Sequence, residues 1–167
     1  MSEDTSFKIE TFSSALGISP SEIAQTHLRV RQWQEAVGQN RFSNIEESQR
    51  DLAGLEEYYI GSGGNFFVAT NTARVLLGFV GLHADGQGQG IVKRLAVVPE
   101  HHRRGIGRAL VGELVAWAQC NDFFQLTLHT NRSENARSTY EEAGFEVVGY
   151  LPEHDDWVMA LDFALSS

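Results

Sequence analysis

The chain of 167 residues has a single cysteine, Cys120, which excludes a disulfide framework and fits a reducing, cytoplasmic setting. Cys120 closes a helical run and reads as a small buried hydrophobe rather than a nucleophile. Runs of about 18 or more apolar residues are missing, so nothing in the sequence is expected to span a membrane. Residues 1–6 are polar and acidic, the opposite of a secretory signal's basic start, and are expected to be disordered. Cations are in short supply, with 13 Lys and Arg against 22 Asp and Glu and a net charge of -9. That balance argues against nucleic acid or an anionic membrane as a partner. No glycine run is followed by the lysine that a nucleotide-binding P-loop needs. The six histidines show no close metal-ligand spacing, and the neighbours His101 and His102 would point apart on most backbones, so no metal is expected. Neither internal repeats nor low-complexity segments occur.

What is present is an ordinary globular composition, 42% apolar and 21% charged, in a length that suits one domain, here placed at residues 7–167. Phe7 to Phe12 alternates weakly, as an edge strand would. Ser19 or Ser21 can cap a helix reaching about Val37, with Pro20 and Glu22 in its first turn. A second helical run starts at Ser43 or Asn44 and reaches about Tyr59, with Ile45, Leu52, Leu55 and Tyr59 near one face. Glycines at 61, 63 and 64 break it. From Asn65 the texture changes to strands: Phe66–Thr70, Val75–His83 and Ile91–Val98, the last closed by Pro99. A heavily apolar helix is expected over Gly107–Cys120, then a strand over Phe124–Thr130 and a short helix over Glu134–Ala143 ended by Gly144. Glu146–Tyr150 and Trp157–Phe163 close the chain as strands. This order gives an α/β (α+β) domain around a mixed central sheet of about six or seven strands flanked by helices.

The glycine pattern Gly86, Gly88 and Gly90 joins two strands and reads as a hairpin loop rather than a dinucleotide fingerprint. The turn from His102 to Arg108 is different, because it lies between a strand and a helix. Gly105 and Gly107 let the backbone approach a ligand, and the first amides of the helix have no partner within it. At the positive end of the helix dipole such a concavity suits a phosphate or pyrophosphate. Arg103, Arg104 and Arg108 strengthen that preference, and Lys93 and Arg94 lie just upstream. Beyond Arg137 the chain has acidic residues and no Lys or Arg. This acidic half reads either as a cation-attracting pole or as a surface kept for solubility.

The turn resembles the Gln/Arg-x-x-Gly-x-Gly/Ala signature of the GNAT superfamily of N-acetyltransferases, with His102 in place of the usual glutamine or arginine. A second block, from Asn135 through Tyr140 and Glu141 to Gly144 and Phe145, resembles that family's Asn-Ala-x-x-x-Tyr-Glu-x-x-Gly-Phe segment. The resemblance is specific over residues 91–150 and weak before residue 60. It implies the GNAT fold, with central strands that splay to admit the pantetheine arm, and acetyl-CoA as cosubstrate. Backbone groups of His102, Arg103, Arg104, Gly105, Ile106, Gly107 and Arg108 would take the pyrophosphate. Those of Leu95, Ala96 and Val97 would bind the pantetheine amides and polarise the thioester carbonyl.

The resemblance gives Asn135 a part in orienting the cofactor side of its helix, and an ordinary helix cap is the other reading. Tyr140 would protonate the departing thiolate; the plainer alternative is a helix tyrosine packed on the sheet. Where many members carry a glutamate base, this chain has Ile91. His83, Asp85 and His129 can serve directly or through water, and Glu153, His154, Asp155 and Asp156 form a loop that can reach an acceptor. The function implied is transfer of an acetyl group to a primary amine, on a small molecule or peptide, by direct attack in a ternary complex. A non-catalytic acyl-CoA-binding or regulatory domain is the alternative, and a longer acyl group a further one. The family also admits a homodimer.

Overall fold

β-Branched, leucine and phenylalanine runs supply seven strands: β1 (Lys8–Thr11), β2 (Asn65–Thr70), β3 (Leu76–Ala84), β4 (Gln89–Val97), β5 (Gln125–Asn131), β6 (Glu146–Leu151) and β7 (Asp156–Asp162). In the computed structural model, which describes residues 6–37, 50–131 and 134–163, they form one sheet in the order β1-β2-β3-β4-β5-β7-β6. Every neighbouring pair is antiparallel except β4 with β5. The β3–β4 connection is the expected glycine hairpin. Asp85 Oδ1 accepts from the Gln87 and Gln89 amides at 2.7 and 3.1 Å, which fastens the loop.

Helices cover both faces. α1 (Pro20–Ala36) starts where Ser19 accepts from the Glu22 amide at 3.1 Å, with Pro20 in the first turn. Its buried stripe is Ile23, His27 and Val30. The second helical run appears as α2 (Arg50–Ala53) and, past Gly54, a last turn over Glu56–Ile60 widened to i→i+5 bonding. Leu52, Leu55 and Tyr59 are fully buried as expected. The start of that run, with Ile45, lies outside the described residues, as do residues 1–5 of the expected disordered stretch.

On the opposite face sits α3 (Ile106–Cys120), whose Ile106, Leu110, Val111, Leu114 and Ala118 are buried. α4 (Glu134–Glu142) lies beside it, ended at Gly144. The sheet thus separates two cores. Phe12, Phe66, Val68, Phe79 and Ala96 pack under α1 and α2. Phe67, Val80, Val92 and Leu126 pack with α3 and with Tyr140 and Phe145. Cys120 corrects the expectation of burial: it is exposed. It falls two residues past Ala118, off the buried stripe and at the helix end.

Candidate active site

The parallel pair β4–β5 is joined at three positions only, Gln89↔Gln125, Gly90↔Leu126 and Ile91↔Thr127. Beyond them the strands part, and the gap is a cavity of about 530 Å³. β4 carries a bulge at the same level. Between the pairs Gly81↔Lys93 and Phe79↔Ala96, β3 advances two residues and β4 three. Arg94 absorbs the extra residue in a left-handed conformation, φ 66°. From Val92 to Val97, therefore, one edge of β4 has no pairing strand among the described residues, and its Val92 to Leu95 stretch lines the cavity.

At the far end of β4, a short turn over Pro99–His101 leads into Gly105, which has φ 80° and caps α3 with no side-chain hydrogen bond. That φ favours glycine, and a Cβ built there would meet nothing within 4 Å, so the turn opens onto free space. The Ile106, Gly107 and Arg108 amides are too early in α3 to have a carbonyl partner within it. Uncapped amides, an open glycine and the positive helix end are the features an anionic group requires, and the turn fits a diphosphate on these grounds.

The side chains around this turn do something else. His102 donates from Nε2 to the Val97 carbonyl at 2.8 Å and meets Trp33 edge-on at 5.1 Å, tying the turn to β4 and α1. Arg104 donates to His101 Nδ1 at 3.2 Å. Arg108 is paired with Glu142 of α4.

Lys93 and Arg94, which sequence grouped with the arginines of the turn, belong instead to the cavity wall under α1 and α2. Arg94 donates to Asp51 from Nε at 3.0 Å and from Nη2 at 2.8 Å, and the Tyr59 hydroxyl donates to the same carboxylate. Burial alone would push the Asp51 pKa up; the Arg94 and Tyr59 hydrogen bonds and the Arg94 charge outweigh it and hold the carboxyl below its usual range. Lys93 donates to the Tyr58 hydroxyl and lies 5.1 Å over the Tyr58 ring. His83 stacks on the other ring contact of Tyr58 at 4.3 Å, its pKa lowered by burial and then by Lys93.

From α1, Arg31 donates to His27 Nε2 at 3.1 Å and to Gln34 Oε1 at 2.8 Å. His27 can accept because burial, helped by Arg31 and Arg94, lowers its pKa to about 3 and keeps it neutral. Burial first, then Arg94, lowers Arg31 to about 10, so it remains a cation at neutral pH.

Across the cavity stands Tyr140, 7% exposed, its ring edge-on to Phe145 at 5.8 Å. Burial raises its pKa well above the ordinary phenol, with Arg31 pulling in the opposite sense, so the hydroxyl keeps its proton. Ile91, Leu95, His129 and Asp156 also line the cavity. Burial raises the Asp156 pKa, against the pull of His154 and His129. Asp85 is held by its own hairpin amides, and Ile91 sits opposite His83 in the β3–β4 register. Asn135 is in the first turn of α4, but its side chain lies outside the described residues.

Reading the sequence missed Arg31, Gln34, Asp51, Tyr58 and Tyr59 as site residues. The signals were there: Arg31 follows the buried Val30 in α1, and Lys93 and Arg94 are adjacent charges inside an otherwise apolar strand.

Residues 62–147 match the model of the acetyltransferase (GNAT) domain, and the chain belongs to the GNAT acetyltransferase family. N-acetyltransferase family 8 member 2 of Rattus norvegicus is 31% identical over 111 residues, 61% of this chain and 47% of that protein. The chain spans less than half the length of the curated relatives it matches, 25% of one and 47% of the other. A GNAT acetyltransferase of Staphylococcus aureus superposes with a TM-score of 0.77 at 20% identity, over 94% of this chain and 99% of that one. An N-acetyltransferase of Thermoplasma acidophilum, solved with coenzyme A, gives 0.72 at 20% identity, over 95% and 99%.

Proposed function

We propose that the chain transfers an acetyl group from acetyl-CoA to a primary amine by direct attack in a ternary complex. The observation that carries this reading is the buried, protonated Tyr140 in a cleft whose other wall is the unpaired edge of β4, with the uncapped α3 turn at that strand's end. Acetyl-CoA would supply the thioester and, on transfer, a thiolate leaving group. The Gly105–Arg108 amides hold the diphosphate, with Arg103 and Arg104 adding positive charge nearby. The β4 edge over Leu95, Ala96 and Val97 orients the amide-bearing arm and polarises the carbonyl under attack. Asn135 helps position the cofactor side of α4. Tyr140 donates its proton as the C–S bond breaks. His129 and Asp156 border the cavity and are placed to take the proton the amine must lose. Alignment within one cleft can contribute on the order of 7–11 kcal/mol to the acceleration.

The coenzyme A complex of the Thermoplasma relative supports the same cofactor here. Coenzyme A release with a panel of amines, alongside calorimetric binding of acetyl-CoA, tests the proposal. Release dependent on both substrates is the expected result. Tight binding with no turnover of any amine would select the non-catalytic acyl-CoA-binding domain, which the Ile91 position favours. Competition among acyl-CoAs fixes the acyl length.

A further inference from the structure

We propose that the acceptor is an aminocarboxylate, an amine with a carboxylate a few bonds from its nitrogen. Lys93 takes the carboxylate on the wall under α1, in the positive field of the neighbouring Arg31, and the nitrogen faces His129 and Asp156 on the β5–β7 side. The inference rests on the acyl-transfer reading and deepens it.

The cavity's charges are the reason. Among the described residues three cations line it, Arg31, Lys93 and Arg94, against one carboxylate, Asp156. Arg94 is neutralised from behind by the two-pronged Asp51 pair. Lys93 is different. Its ammonium meets the Tyr58 hydroxyl and ring, both uncharged, and among the described residues no carboxylate lies within ion-pair distance of it. His83, on the same ring, adds no compensating negative charge. Arg31 keeps its charge while donating to the neutral His27 ring and the Gln34 amide.

A part-buried ammonium that meets only a phenol among the described residues gains from an incoming anion, because charge-assisted hydrogen bonds are the strong ones in a water-poor site. Asp156 and His129 come from strands paired to each other, Thr130↔Trp157 and Asn131↔Asp156 lying at the same end, across the splay from β4. The cavity is therefore bipolar, cationic on one side and lined by the proton-accepting groups His129 and Asp156 on the other. A zwitterion matches both poles. A polyamine would set its charges against Lys93 and Arg31, a like-charge arrangement that opposes binding.

The test is equilibrium binding to the full chain with coenzyme A present, using amino acids and their decarboxylated counterparts: L-phenylalanine with 2-phenylethylamine, L-leucine with 3-methylbutylamine, L-lysine with cadaverine, and spermidine besides. At least one aminocarboxylate is expected to bind about tenfold or more tighter than its partner amine, the size of one charge-assisted hydrogen bond. Lys93→Gln, which keeps a donor for Tyr58, should erase that difference by weakening the aminocarboxylate without weakening the decarboxylated amine, and Lys93→Arg should restore part of it. Equal binding of the two members of each pair, tighter spermidine, no binding by any aminocarboxylate, or an equal loss for both members in Lys93→Gln would each overturn the proposal. Coenzyme A release separates this from the broader reading. Aminocarboxylates that bind selectively but are never acetylated would sink acyl transfer alone, and turnover of plain amines without selectivity would sink the acceptor class alone.

Discussion

The two ends of the cleft are made from different material. At α3 the surface proposed for the diphosphate is backbone: a left-handed glycine and three amides, with the nearby side chains of His102, Arg104 and Arg108 engaged by Val97, His101 and Glu142. Under α1 the surface is side chain: Lys93 and Arg94, held by Tyr58 and by Asp51 with Tyr59 from a different stretch of sequence, and Arg31, which donates to His27 and Gln34 of its own helix. A backbone site is fixed by local turn geometry and tolerates exchange of its side chains. A side-chain site depends on long-range packing, and each member that is removed leaves a partner buried without its counterpart.

The largest effect expected from breaking this contrast is at Asp51. Its loss in Asp51→Ala leaves Arg94 buried on a charge, 20% exposed in its side chain, and should cost about 3 kcal/mol, at the low end for a buried pair because water still reaches the guanidinium. Urea denaturation measures it. The same carboxyl has a folded pKa below its unfolded one, so its stabilisation is complete above about pH 4 and fades as pH falls through the folded value. Asp51→Asn should flatten that acid limb of the stability curve, and an unchanged limb would remove Asp51 from it.

Gly105→Val comes next. A β-branched residue at φ 80° is strained by about 1–2 kcal/mol or more, and the turn should deform, weakening acetyl-CoA about tenfold or beyond by calorimetry while the fold persists. Tyr140→Phe should lower kcat by roughly tenfold to a hundredfold with acetyl-CoA affinity unchanged, since a thiolate can leave slowly without a proton donor. An unaltered kcat would take Tyr140 out of the chemistry. The smallest change is expected of Arg108→Ala. Its exposed pair with Glu142 is worth at most about 1 kcal/mol, and cofactor affinity should stay within about twofold if the amide rather than the guanidinium is what binds. A tenfold loss would show that side chain and backbone share the work at this end.

The same contrast decides what was legible in the sequence. The strand–turn–helix around Gly105 could be read because its parts are adjacent in the chain, and so could the caps at Ser19 and Gly144 and the hairpin at Asp85. Element boundaries moved by a residue or two, as at Leu76 and Ile106, where side-chain pattern says little about which amide closes the last hydrogen bond. The cavity wall could not be read, because Arg94 meets Asp51 and Lys93 meets Tyr58 only after the helical run before β2 folds onto the sheet. Lys93 and Arg94 were noticed as charges but assigned to the wrong end, since proximity along a strand does not reveal which side of it a residue faces. Cys120 was misjudged in a similar way, two positions past the buried Ala118.

The kink in β4 has a consequence of its own. Gly90 and Val92 look toward the α3 core, and so do Leu95 and Val97, although three positions rather than an even number separate Val92 from Leu95. The strand thus changes parity once, at Arg94, and its two halves are read in opposite frames. Deleting a single residue there would restore strict alternation and turn one half of the strand inside out, exchanging the faces its side chains present to the two cores.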